Sequence, residues 1–87
     1  MKFVQPSPYS DPAAAARKIM EIANSLEPYM DGRLLTEKLN AAMLYEHKAL
    51  PAQYGAGIQY CVDNGWLTQH MSGFWFYFTQ RGKDLFA

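Results

Sequence analysis

Five aromatic residues in succession, Phe74 to Phe78, follow the turn-forming pair Ser72-Gly73, and no other segment limits the fold so tightly. Neighbouring side chains of a strand point to opposite faces, so a run of rings supplies two surfaces at once. With Ser72 and Gly73 as the central residues of a tight hairpin, Leu67 falls opposite Phe78, Thr68 opposite Tyr77 and His70 opposite Trp75. Phe74, Phe76 and Phe78 then join Leu67 and Met71 on a face that caps a core, while Trp75 and Tyr77 join Thr68 and His70 on the other. A loop with an odd number of residues would exchange the two faces.

Helical periods upstream supply the core to be capped. Asp11-Pro12 reads as a helix start, because an Asp side chain accepts from the orphan N–H groups and Pro fits the first helical position. Ala16, Ile19, Met20, Ala23 and Leu26 recur as one buried stripe, and the helix ends near Glu27, before Pro28. Asp31-Gly32 marks a turn ahead of Leu34-Leu35, a very short strand. Thr36 is placed to cap a second helix that runs to about Glu46 with Leu39, Ala42 and Met43 inward. Pro51 opens a third helix, which gathers Tyr54, Ile58, Cys61 and Val62 inward and closes at Asn64-Gly65, with Gly65 in the left-handed cap position. Gly55 and Gly57 weaken that helix by about 1 kcal/mol each relative to Ala, so a neighbouring helix or a groove wall is expected to approach closely.

The chain has 87 residues, about half of them apolar, enough for one small core. A single domain over residues 11–87 follows a flexible arm, residues 1–10, whose Pro6, Ser7, Pro8 and Ser10 favour an extended conformation. Cys61 stands alone, which rules out an internal disulfide and suits a reducing cytoplasm; on the inner stripe it reads as a core residue. With His47 and His70 widely separated, no zinc set forms, and no cofactor is expected. No apolar run approaches the roughly 20 residues that cross a bilayer, so a soluble protein without membrane contact is expected. Eight basic side chains balance eight acidic ones, which leaves no overall electrostatic pull toward nucleic acid. No Ser, Cys or carboxylate stands in a recognisable relation to a base, so no enzymatic activity is expected.

The order helix, short strand, helix, helix, hairpin resembles the winged helix-turn-helix family, a mainly α fold of three helices plus a small antiparallel β-hairpin, the wing. "VDNGWLTQ" is similar to the family's recognition-helix end, where a Gly cap precedes two apolar residues, here Trp66 and Leu67. "FYFTQRGKDLF" is similar to the wing exit, a strand followed by Thr-x-x-Gly and a short helical tail. The resemblance spans residues 11–87. It implies that the third helix lies in the major groove of double-stranded DNA while the wing touches the backbone or minor groove. Carried onto this chain, Gln53, Ala56, Tyr60 and Asp63 face outward, with Gln53 suited to an adenine edge and Tyr60 to a phosphate. The helix departs from the family pattern in having no Arg or Lys; Lys48 before it and Arg81 after the wing are the nearest cations, followed by Arg33 and Lys83. His70 near the wing tip completes the candidate DNA contacts.

Trp75 and Tyr77 form either an interface patch, with Phe86 of the tail as a further contact, or a surface that the N-terminal arm or the tail covers. Two functions follow. One is a DNA-binding transcriptional regulator or accessory factor acting as a dimer; the other is a winged-helix module that binds another protein and not DNA. A small-molecule sensor with an aromatic pocket is a third class, without convergent polar groups to recommend it.

Overall fold

A computed structural model describes residues 8–27 and 32–87. Helix α1 (Pro12–Ser25) starts as the sequence predicts: the Asp11 carboxylate accepts from the Ala13 N–H at 3.1 Å and Pro12 occupies the first turn. Its stripe of Ala15, Ala16, Ile19, Met20, Ile22 and Ala23 is buried, and Leu26 packs against it from the edge. The chain then forms β1 (Leu34–Leu35), α2 (Thr36–Ala41) and a π-helical continuation, Ala42–Glu46. Helix α3 (Pro51–Asp63) leads through Gly65, at φ +72°, into β2 (Leu67–Gln69), β3 (Trp75–Phe78) and the short α4 (Gln80–Asp84). The architecture is mainly helical with a small antiparallel sheet.

That sheet has three strands, in the order β1-β3-β2. The hairpin register agrees with expectation, pairing Leu67 with Phe78 and Thr68 with Tyr77, while the His70 N–H donates to the Trp75 carbonyl at 3.0 Å. The turn differs. The Gly73 N–H donates back to the His70 carbonyl at 2.9 Å and Gly73 takes φ +79°, so four residues, Met71 to Phe74, form the loop instead of two. Two and four are both even, which keeps the register. Met71 and Phe74, expected on the core face, are instead 97% and 71% exposed because the wider loop carries them off the sheet.

Strand β1 adds a pairing that the hairpin alone does not contain: Leu34 lies opposite Phe76 and Leu35 opposite Trp75. Thr36 also plays a different part from the one expected. The residue preceding α2 is Leu35, and the Thr36 hydroxyl reaches across to donate to the Gly73 carbonyl at 2.8 Å, with the Thr36 N–H on the Phe74 carbonyl at 2.9 Å. Thr36 therefore ties the start of α2 to the hairpin loop and does not cap its own helix.

Residues 8–10, expected in an extended arm, form a 3₁₀ turn packed against α1 and α3, with Tyr9 edge-on to His47 at 6.4 Å between ring centroids. An aromatic ring against a packed helix pair is apolar surface removed from water, which orders this end of the expected arm; residues 1–7 lie outside the described residues. His47 is correspondingly half-buried.

The segment after β3 is locked to the segment before β2. The Thr79 N–H donates to the Trp66 carbonyl at 3.1 Å, the Thr79 hydroxyl donates toward the Gly65 carbonyl, and its oxygen accepts from the Gly82 N–H at 3.0 Å. Gly82 is buried, and a methyl group there would collide with the Trp66 carbonyl oxygen. The Thr-x-x-Gly sequence is thus an N-cap for α4 whose glycine permits backbone contact with the hairpin entry.

Candidate interaction surface

Helix α3 has two contrasting sides. Gly57 and Cys61 are buried against α1, where a Cβ on Gly57 would lie 2.7 Å from Ile19 Cδ1 and 3.0 Å from Ala15 Cβ. Close helix packing is therefore the reason for this glycine. Gly55 has no such reason, since nothing lies within 4 Å of a Cβ placed there. The exposed side holds Ala52, Gly55, Ala56, Gln59 and Asp63, with the Gln59 amide donating to the Asp63 carboxylate at 2.8 Å. Of the expected outward residues, Ala56 and Asp63 are exposed. Gln53 turns back, its side-chain oxygen accepting from the Leu50 N–H at 2.9 Å to satisfy the helix start, and Tyr60 packs on Trp66 with 5.8 Å between ring centroids.

Lys48, Arg81 and Arg33 do not gather beside α3. Lys48 is exposed just ahead of its first turn. Arg81 sits at its far end, where its Cδ lies 3.6 Å from the position of a Cβ on Gly65. A helix of 13 residues separates the two positions by about 20 Å. Arg33 is on the sheet, and Lys18 pairs with Glu21 at 3.3 Å on α1. Lys48 also holds φ +60°, a left-handed conformation that ends the π-helical segment, with the Ala49 N–H on the Met43 carbonyl at 2.9 Å.

The outer face of the sheet carries a polar and aromatic cluster. Trp75 stands at its centre, with the Arg33 guanidinium carbon 4.3 Å from its ring centroid and the His70 ring 4.4 Å away, tilted by 31°. The Trp75 indole N–H donates to the Tyr77 hydroxyl at 3.0 Å. His70 Nδ1 accepts from the Ser72 N–H at 3.1 Å, and the Ser72 hydroxyl in turn accepts from the Phe74 N–H at 3.2 Å. The loop thereby positions the imidazole against the indole. His70 is half-buried by this stacking rather than a freely solvated side chain. The structure brings Trp75, Tyr77 and His70 together, as the alternation predicts, and adds Arg33, whose place becomes legible only once β1 pairs with β3.

Phe86, grouped with Trp75 and Tyr77 in the sequence reading, has other neighbours. With Leu85 it lines an open groove of about 280 Å³ together with Arg17, Met20, Glu21 and Trp66. Cys61 is fully buried, its Sγ 3.5 Å from the Ala16 carbonyl, and burial pushes the thiol pKa up to about 12. Burial, helped by Cys61, likewise raises Tyr54 to about 12, and its buried hydroxyl has no hydrogen-bond partner. These two groups form part of the core and carry no visible chemistry. Among the described residues no group of three or more His, Cys, Asp or Glu side chains is placed to hold a metal ion, and no helix is long and apolar enough to cross a membrane.

Comparison of the chain with family models, curated proteins and solved structures finds no match.

Proposed function

We propose that the chain is a winged-helix-type module that binds another protein and does not rely on duplex DNA. The observation that carries this reading is the exposed side of α3, where Ala52, Gly55, Ala56, Gln59 and Asp63 offer no cation, while Lys48 and Arg81 stand about 20 Å apart at its two ends. Duplex binding draws most of its affinity from neutralised phosphates, and this surface has little to neutralise them with. The element order and the Thr79–Gly82 lock support the winged-helix part of the reading.

Exposed Tyr45, Leu50, Met71 and Phe74 supply apolar contact area for a partner, which is either a second copy of the chain or a different protein. Sedimentation velocity over a wide concentration range separates these two, since only the former shifts with concentration. The DNA alternative is tested by fluorescence anisotropy with a random-sequence duplex at low and physiological salt. Absence of binding at low salt is expected. Binding whose log affinity falls with log salt at a slope of about 2 or more, and which is lost in Lys48→Ala/Arg81→Ala, would overturn the reading and restore DNA as the partner.

A further inference from the structure

Among the described residues, the strand positions of the outer sheet face carry one fixed positive charge, Arg33, which makes no described ion pair. Arg33 precedes β1 by one residue and shares the face of Leu35, beside Trp75 and Tyr77 of β3 and Thr68 and His70 of the β2 side. None of these is acidic. The described ion pairs consist of Lys18–Glu21 alone, on α1. Arg33 Nε is closed off from solvent without a hydrogen-bond partner, while the residue as a whole is only half-buried.

We propose that this face binds an acidic segment of a partner protein, with a carboxylate of that segment on the Arg33 guanidinium and apolar side chains on Trp75, Tyr77 and Leu35. The proposal rests on the protein-interaction reading and names its site and the chemistry recognised there. A guanidinium stacked on an indole is already oriented, so less rotamer freedom is lost when its planar fork meets a carboxylate. Charge-assisted, two-pronged contacts of this kind are stronger than neutral ones and discriminate geometry. The neighbouring groups add donors. Tyr77 accepts from the Trp75 indole N–H, which leaves its own proton for an acceptor. His70 Nδ1 accepts from the Ser72 N–H, which places the ring proton of the neutral imidazole on Nε2.

Single-stranded nucleic acid is the competing occupant, since bases stack on aromatic platforms. A backbone of successive phosphates calls for a groove of several cations, and among the described residues the strand positions of this face supply one. One guanidinium matches one carboxylate.

The test uses the ¹⁵N-labelled chain and three probes: a capped pentapeptide of alternating leucine and glutamate, the same peptide with glutamine in place of glutamate, and oligo(dT). The glutamate peptide is expected to shift the Arg33 Nε–H and Trp75 indole N–H resonances saturably, and the glutamine peptide to bind roughly tenfold more weakly. Arg33→Lys, which keeps the charge and loses the fork, is expected to weaken the glutamate peptide by about tenfold with the other backbone amide resonances retained. Should that variant misfold, the glutamate and glutamine peptides on the unaltered chain decide the matter by themselves. Equal binding of the two peptides, or no binding of either, would overturn the proposal and leave the protein-interaction reading standing. Shifts confined to Ala52 and Ala56 of α3 would keep that reading and move the site. Tighter binding of oligo(dT) than of the glutamate peptide to the same resonances would overturn both.

Discussion

The two faces of β3 are built from the same kind of residue and held by different forces. On the inner face Phe76 is 1% exposed, opposite Leu34, in a cluster with Ile19, Met20, Leu39 and Met43. Its ring is kept in place by apolar area removed from water and by close packing. On the outer face Trp75 is only half-buried, and its neighbours address its π-face and its N–H: a guanidinium, an imidazole and a phenol. An inner ring is tied to volume and an outer ring to orientation. Removing one should break the fold, and removing the other should break a surface.

The strongest test of that contrast is the pair Phe76→Ala and Trp75→Ala. Loss of the inner ring is expected to cost about 3–5 kcal/mol. Loss of the outer one gives up exposed stacking and cation–π contact, about 1 kcal/mol. Urea denaturation of both variants measures the difference, and equal losses would dissolve the distinction between the faces.

Next in size is Gly82→Ala, which probes the lock that joins the inner face to α4. The added methyl meets the Trp66 backbone as well as Met20 Cε at 3.2 Å, and backbone cannot rotate away. A loss of roughly 2–3 kcal/mol is expected, read as a drop in thermal midpoint. An unchanged midpoint would mean that α4 docks more loosely than its hydrogen bonds imply.

The inner side also predicts a pH response. Cys61 and Tyr54 both have pKa values raised to about 12 in the folded chain, from ordinary values of 9.0 and 10.0, because burial penalises their anions. Above the unfolded pKa values the unfolded chain loses protons that the folded chain keeps, so stability present below about pH 9 falls as pH rises toward 12. A decline of roughly 1–2 kcal/mol between about pH 8 and pH 10 is expected, measured by denaturant midpoints. Cys61→Ala should flatten most of the early part of that decline. Alkaline stability unaffected by this substitution would show that the thiol is not held away from solvent.

The smallest effect extends the same contrast to α3, where one glycine faces in and one faces out. Gly55→Ala meets open space and should stabilise by about 0.5–1 kcal/mol through helix propensity. Gly57→Ala presses on Ile19 and Ala15 and should destabilise. Opposite signs in thermal melts sharpen the comparison, while a destabilising Gly55→Ala would point to a partner or chain segment covering the exposed side.

Much of this architecture is legible in local patterns. The Asp11 cap, the Ile19 and Met20 stripe, the Leu39 to Met43 face and the left-handed Gly65 all follow from periods of a few residues. The hairpin register is legible because strand alternation has a period of two and the loop changed length by an even number. Met71 and Phe74 escaped because the turn type, and not the alternation, decides where a loop residue points. The Arg33 position escaped for another reason: a strand of two residues, Leu34–Leu35, has no period from which a partner or a face can be read.

The sequence by itself therefore determined where α1, α2 and α3 lie, which stripes face inward and how β2 pairs with β3, since each depends on residues close together in the chain. Tertiary structure alone decided that β1 joins β3, that Thr36 bonds to the hairpin loop, that Lys48 and Arg81 stand at opposite ends of α3 and that Arg33 stacks on Trp75. Those arrangements join residues as far apart as Arg33 and Trp75, which meet only after the core has packed, and no local propensity encodes such a meeting.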